Sequence, residues 1–351
     1  MKPVIRVGIL SYGMSGKVFH APLMHVFPGY AISKIMQRSG NSALDQYPEV
    51  TIVRSISEIT EDPAIDLVIV NTPDHTHFDF AKAALEAGKH VVVEKPFVQK
   101  YEEGMALIAL ADKMGKVLTV YQNRRWEGDF LTIRHIINQK LLGRLVEYEA
   151  HFDRFRNFIR DSWKEKPENN TGTLYNLGSH LVDQAIVLFG MPSAVKADLR
   201  NQRTGALVDD LFDLSLIYPD IKVTLKGSYL VREQGPRYIL HGTEGSFIKY
   251  SADPQEEALN AGRFPDEPDW GREPEEKWGL LNTTLQGLHY RGKIETFPGC
   301  YHMFYGSLYE TLVNGTELAV KPQESLNGIR IIQAAYESQK TQRTVMLDSQ
   351  L

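Results

Sequence analysis

The sequence predicts an α/β protein in two parts: a doubly wound parallel sheet, then a domain of mostly antiparallel sheet packed on helices. Over the first third, apolar runs alternate with helical patterns, the signature of βαβ units. The first strand-to-helix turn is glycine-rich, as a phosphate-binding turn would be. Beyond residue 122 the apolar pattern shifts to period two with few intervening helices, as in an antiparallel sheet with one covered face. With 351 residues, two domains are expected, at 1–122 and 123–351.

In the first domain strands are expected at 5–10, 31–36, 51–54, 67–70, 90–94 and 117–121, and helices at 16–26, 76–87 and 102–114. Gly88 and Gly115 close two of these helices. The first turn reads Ser11-Tyr12-Gly13-Met14-Ser15-Gly16, the dinucleotide fingerprint GxGxxG with serine in its first position. Gly13 lets the backbone approach a pyrophosphate, Gly16 lets the helix pack against its strand, and Met14 and Ser15 open a helix whose N-terminus offers free N–H groups. Following a strand and opening a helix, the motif reads as a Rossmann-type site.

The second strand ends Met36-Gln37-Arg38-Ser39, and no carboxylate follows until Asp45. An NAD site places Asp or Glu there for the ribose 2′-hydroxyl, whereas a 2′-phosphate calls for Arg and neutral donors. Arg38 can make a bidentate contact to phosphate and Ser39 a further bond, so NADP is expected over NAD; the plain alternative is a solvated arginine. After the fourth strand comes Asn71-Thr72-Pro73, a polar turn at the same sheet edge. Thr76 with Asp79 three residues on, and His75 with them, reads as helix capping. The fifth strand, Val91-Val92-Val93-Glu94-Lys95-Pro96, reads as buried on both faces and ended by proline. Glu94 and Lys95 therefore sit where open α/β sheets hold their ligands. Lys95 is either a fixed, partly desolvated cation for a ligand or the partner of a nearby carboxylate.

The second domain opens with Gln122-Asn123-Arg124-Arg125-Trp126 and a helix to about residue 140. Alternating strands follow near 144–155, 194–199, 210–218, 221–229, 238–240 and 246–250. One face of such a sheet packs on helices and the other is where subunits often meet, so a homodimer or homotetramer is expected. A helix over 173–189, closed by Gly190 and Pro192, has an apolar side of Leu177, Leu181, Val182, Ala185, Ile186 and Phe189, and carries Asn176, His180 and Asp183. These lie at i, i+4 and i+7 on one face, a polar stripe suited to lining a cavity. The stretch 252–298, rich in Glu, Pro, Gly and Asn, reads as a lid, a subunit arm or a partly ordered insertion. A helix near 323–339 and a strand at 344–347 close the chain.

A net charge of -5 gives no footprint for nucleic acid or an anionic membrane. No apolar run approaches the roughly 18 residues of a membrane span, and the N-terminus lacks a signal-peptide layout. Cys300 is the single cysteine, and no His/Cys/Asp/Glu grouping has metal-site spacing, so neither a disulfide nor a metal is expected. The expectation is a soluble, cytoplasmic protein acting on a small molecule.

The glycine turn at 11–16, Thr72-Pro73 with His77, the tripeptide Glu94-Lys95-Pro96, and Gly178-Ser179-His180-Leu181-Val182-Asp183 together resemble one family. It is that of the glucose-fructose oxidoreductase, inositol dehydrogenase and rhizopine-catabolism oxidoreductases, and the resemblance covers essentially the whole chain. The stretches 122–126, 151–156 and 174–180 look most like its NADP-dependent scyllo-inositol dehydrogenase group. The resemblance implies that Lys95 and His180 flank the substrate carbinol and the nicotinamide, and that His77 and Trp163 lie near the cofactor. Ser11 departs from the family's first glycine, and Asn176 from the aspartate usual four residues before the histidine. An amide can bind a substrate hydroxyl but cannot relay a proton.

The expected activity is reversible, NADP-dependent oxidation of a secondary alcohol on a polyol, cyclitol or sugar. His180 takes the hydroxyl proton, Lys95 stabilises the developing alkoxide, and Asn123, Arg125, Asn176 and Asp183 are candidates to bind substrate. Arg154 and Arg156 leave an acidic or phosphorylated sugar open. The rival from another class is a non-catalytic NADP-sensing protein on the same fold.

Overall fold

The structure, a computed structural model, describes residues 3–162, 165–167 and 171–347. The chain divides into two compact units, the first formed by 1–126, 254–271 and 299–326, the second by 127–253, 272–298 and 327–351.

The first unit is built on β1 (Ile5–Ile9), β2 (Tyr30–Met36), β3 (Thr51–Val53), β4 (Leu67–Val70), β5 (His90–Val93) and β6 (Leu118–Val120). Their order is β3-β2-β1-β4-β5-β6, parallel throughout. This is the doubly wound order whose ligands sit beyond the carboxyl ends of the strands. Every residue of β4 and three of the four in β5 are buried, which accounts for their unbroken apolar runs. The expected first helix is split: a π-helical turn, Gly16–His20, runs into α1 (Ala21–His25). α2 (Ser57–Thr60) is a single turn additional to the expected helices; α3 (His77–Glu86) and α4 (Tyr101–Met114) follow the expected pattern. Gly115 ends α4 in the left-handed conformation.

The second unit begins with α5 (Gly128–Asn138), β7 (Leu145–His151), a π-helical turn at Leu174–Gly178 continued by α6 (Ser179–Phe189), then β8 (Ala194–Arg200), β9 (Leu211–Ile217), β10 (Lys222–Ser228), β11 (Tyr238–Gly242) and β12 (Gly245–Lys249). Tyr148 and Ala150 of β7, Phe212, Leu214 and Leu216 of β9, and Val223 and Leu225 of β10 are buried. Glu147, Glu149 and His151 alternate with them on the other face, the period-two pattern of a half-covered sheet.

The chain then crosses between units more than once, instead of the single passage expected at 122/123. α7 (Gln255–Asn260) lies in the first unit, the hairpin β13 (Gly279–Leu285) and β14 (Leu288–Ile294) in the second, and α8 (His302–Asn314) in the first. α9 (Pro322–Thr341) and β15 (Val345–Met346) end the described chain. The second sheet has nine strands in the order β14-β13-β12-β11-β7-β10-β9-β8-β15, antiparallel except for the parallel pair β7–β10. The stretch 252–298 is thus neither a lid nor a loose insertion: it supplies a helix to one unit and two sheet strands to the other.

α8 and its approach complete the first unit's core. Trp270, Tyr301, Phe304, Tyr305, Leu308 and Tyr309 are buried in one cluster with Val7 and Ile9 of β1. Phe304 meets Tyr121 edge-on at a ring separation of 4.9 Å and Tyr305 at 5.2 Å. Phe304→Ala should therefore cost about 3–5 kcal/mol, read as a lower denaturation midpoint in urea; a loss under 1 kcal/mol would show that α8 is peripheral to this core.

Candidate active site

In the first unit the glycine turn and the ends of β4 and β5 lie together at the carboxyl edge of the sheet. Asn71, just past β4, donates from its amide to Ser11 O at 2.8 Å and to Ser15 Oγ at 3.3 Å, tying the two loops. A Cβ on Gly16 would fall 2.0 Å from Ser11 O and 2.9 Å from Asn71 Nδ2, so only glycine permits this approach. At Gly13 a Cβ would meet nothing closer than Ser11 Oγ at 3.4 Å. Nothing in the described chain demands glycine there, whereas an incoming pyrophosphate does. Ser11 is not a positive-φ residue, and its hydroxyl accepts the Gly13 N–H at 3.2 Å, so the missing first glycine costs the turn nothing. Met14 is exposed, and with Ser15 it starts a helix whose first N–H groups have no intrahelical partner. These features fit a dinucleotide phosphate.

Beyond β2, Arg38 and Ser39 are exposed on a loop that other residues hold. Arg54, at the end of β3, donates to Gln37 O at 2.6 Å, Gly40 O at 2.8 Å and Asn41 Oδ1 at 2.6 Å. Sequence reading does not find Arg54, because its partners are backbone carbonyls on another strand's loop.

Glu94 and Lys95 follow β5 as expected, both half-buried, and the Lys95–Pro96 peptide is cis. Glu94 Oε2 accepts the Lys95 N–H at 2.9 Å, and Glu94 Oε1 lies 3.0 Å from His20 Nε2. Burial pushes the Glu94 carboxyl up, but His20, the Lys95 charge and the Lys95 N–H outweigh it and hold it below the ordinary carboxylate range. His77 is buried, its Nδ1 2.9 Å from Pro96 O and its Nε2 3.0 Å from Thr72 O. Each ring nitrogen thus faces a backbone carbonyl, and His77 braces the turns at Thr72-Pro73 and Pro96. Thr76 also departs from its expected role: its hydroxyl makes no cap bond and instead donates to Pro73 O at 2.7 Å. His75 is exposed. Trp163 lies outside the described residues.

Asn123 and Arg125 belong to a short turn, Asn123–Trp126, in the first unit. Both are buried, and Arg125 donates to Glu324 Oε2 at 2.7 Å and to Ala319 O at 3.3 Å. That ion pair gives Arg125 a structural task within its unit.

In the second unit the expected stripe is divided between a π-helical turn, which carries Asn176, and α6, which carries His180 and Asp183, and the turn is anchored at its start. Asp209 Oδ2 accepts the Leu174 N–H at 2.8 Å, Asp209 O accepts the Thr173 N–H at 2.8 Å, and the Tyr336 hydroxyl donates to Asp209 Oδ1. Asp209 thereby caps the π-helical turn that presents Asn176. Asn176 is half-buried and donates to the Tyr229 hydroxyl at 3.4 Å. One turn on, His180 is buried and stacks on Phe152 with ring centres 6.3 Å apart; Asp183 is buried beside it on α6. Arg237, ion-paired to Glu127 at 2.7 Å and Asp129 at 2.9 Å, lies over the same Phe152 ring. No cluster of three or more His, Cys, Asp or Glu that could hold a metal occurs among the described residues, and no described helix is long and apolar enough to cross a membrane.

A parallel sheet in this order with a glycine turn shaped for a pyrophosphate defines a Rossmann-type dinucleotide-binding unit. Residues 5–122 match the model of the oxidoreductase family's NAD-binding Rossmann fold, and 134–347 that of its C-terminal alpha/beta domain. The chain belongs to the Gfo/Idh/MocA family of oxidoreductases. It is 46% identical over 347 residues to scyllo-inositol 2-dehydrogenase (NADP(+)) of Bacillus subtilis, covering 98% of this chain and 96% of that one. It is 40% identical to the uncharacterised oxidoreductase YdgJ of Escherichia coli, covering 99% and 100%. A crystal structure of an oxidoreductase from Bacillus cereus superposes with a TM-score of 0.92 at 34% identity, covering 99% of this chain and 100% of that one.

The Asp209 cap makes a test of the helix anchor. Burial pushes its carboxyl up to about 6, against the pull of the Tyr336 hydroxyl and the Leu174 N–H. A carboxyl raised on folding contributes most below its unfolded value of about 3.9 and loses that contribution as pH climbs through the folded one. Between pH 4 and 6 the native protein should therefore lose on the order of 2 kcal/mol that Asp209→Asn does not lose. Urea titrations across this interval check it; parallel curves for the two proteins would sink the assignment.

Proposed function

We propose that this enzyme catalyses the reversible, NADP-dependent oxidation of a ring secondary alcohol of a cyclitol or sugar to its ketone, with scyllo-inositol as the first substrate to try. The observation that carries the reading is the 46% identity, over nearly all of both chains, to an NADP(+)-dependent scyllo-inositol 2-dehydrogenase. The exposed pair Arg38-Ser39, on a loop whose carbonyls Arg54 already satisfies, supports NADP over NAD. The bound nicotinamide supplies the hydride acceptor. His180 takes the proton of the substrate hydroxyl and returns it in the reverse direction. Lys95 stabilises negative charge on the carbinol oxygen, and its backbone is fixed through Glu94. Asn176, held by Tyr229, binds a substrate hydroxyl, a role an amide fills as well as a carboxylate does.

A second reading, an acidic or phosphorylated sugar, has one observation in its favour. The Arg156 guanidinium lies over the Tyr229 ring, 4.9 Å from its centre, with no carboxylate partner among the described residues.

Absorbance at the reduced-nicotinamide band, with scyllo-inositol, myo-inositol, glucose and a sugar acid each offered with NADP and NAD, tests both. Turnover of scyllo-inositol with NADP preferred is expected; turnover of the sugar acid alone transfers the assignment to the second reading. Binding of NADPH without any turnover favours the sensor. Arg38→Ala should raise the KM for NADP about 10-fold or more, the worth of a charge-assisted bond, and leave that for NAD unchanged. His180→Ala should lose about 100-fold or more in kcat while still binding NADPH; native turnover would remove it from the mechanism.

A further inference from the structure

We propose that His20 and His77 are positioning residues for Lys95, two imidazoles that fix the Glu94-Lys95-Pro96 tripeptide from its two sides. On one side His20, fully buried, places Nε2 3.0 Å from Glu94 Oε1, and the other Glu94 oxygen accepts the Lys95 N–H at 2.9 Å. On the other side His77 Nδ1 sits 2.9 Å from Pro96 O. The lysine backbone is therefore tied at the N–H before its side chain and at the carbonyl of the next residue.

Each histidine is fixed in its turn. His20 Nδ1 lies 2.5 Å from the Tyr305 hydroxyl of α8, and its ring packs at 4.5 Å from Tyr121. His77 Nε2 lies 3.0 Å from Thr72 O. A carbonyl oxygen only accepts, and a neutral imidazole carries a single N–H, so His77 can donate to either carbonyl according to its tautomer, which an amide of similar reach, with its donors on one atom, cannot do from both ends. The chemistry at His20 is different. Burial alone would push the Glu94 carboxyl towards protonation; the His20 bond opposes this and keeps Oε2 an anionic acceptor for the Lys95 N–H. His20 also closes the π-helical turn that Gly16 opens, so one five-residue segment carries both the glycine of the phosphate turn and the ring that holds Glu94. Occupancy of the phosphate turn and placement of Lys95 then share one rigid element.

The inference rests on Lys95 acting on the carbinol oxygen, and its test separates the two. His20→Phe, His77→Gln and Tyr305→Phe are compared with the native protein and with His20→Gln, which restores a donor towards Glu94. Lys95 acetylation by acetic anhydride, measured by peptide mass spectrometry against the exposed Lys113, needs no substrate. NADPH affinity is read by fluorescence titration, and kcat and KM with whichever sugar the native protein oxidises. His20→Phe and His77→Gln should bind NADPH within about threefold of native and lose about 10-fold or more in kcat with KM little changed, as displacement of a reacting group does. Their Lys95 acetylation rate should change about threefold or more, and His20→Gln should recover most of both losses. Native kcat in these variants, or a loss of kcat with Lys95 acetylation unchanged, overturns the proposal. If no sugar is oxidised by the native protein, the acetylation rates alone decide the clamp while the functional reading fails separately. Should His20→Phe not fold, Tyr305→Phe carries the same readout, and unchanged Lys95 acetylation in it overturns the His20 arm.

Discussion

A carboxylate set just past the carboxyl end of a core strand is the constraint around which the first unit is arranged. Left alone at that depth, Glu94 would cost several kcal/mol or take up a proton. Its compensation is assembled from three places: the Lys95 N–H beside it, His20 from the π-helical turn, and behind His20 the Tyr305 hydroxyl, 285 residues further along the chain. The return of α8 to the parallel sheet is thus part of the electrostatics of this strand end as well as of its packing. The same helix brings Phe304, Leu308 and Tyr309 into one core cluster with Val7 and Ile9, so apolar burial and charge compensation come from one element.

The parallel sheet was legible in the sequence because its strands are buried on both faces and leave unbroken apolar runs, as at Leu67–Val70. The polar stripe of the second unit was legible because its background is so apolar. α8 was not, since its buried residues are largely aromatic and tyrosine reads as amphipathic in a hydropathy pattern. The hairpin β13–β14 was hidden for the opposite reason: residues 284–291 are exposed on both faces, so no alternation marks them. The repeated crossing between units cannot be read locally at all, because each return rests on contacts with segments elsewhere in the chain, as Tyr305 of α8 does with His20.

Of the candidate site, residue types were legible and their attachments were not. Lys95, His180, Asn176 and the glycine turn announce themselves by position in a motif. Asp209, Arg54, Tyr229 and His20 do not, because each acts through a partner distant in sequence. His77 is legible by its motif, but its two backbone carbonyl neighbours, at Pro96 and Thr72, are not. Arg125 is similar, a cation in a suggestive place that Glu324 already neutralises.

The loop after β2 separates support from selection. Arg54 satisfies the carbonyls of Gln37 and Gly40, and Gln37 reaches Ser42 and the Ala43 N–H, so the backbone course is set by these two side chains. Arg38 and Ser39 take no share in that support. On the proposed NADP reading, the choice of dinucleotide is written in two exposed side chains that the fold does not need. Cofactor preference in such a protein is free to drift between lineages, or to be rewritten by design, with the scaffold left intact.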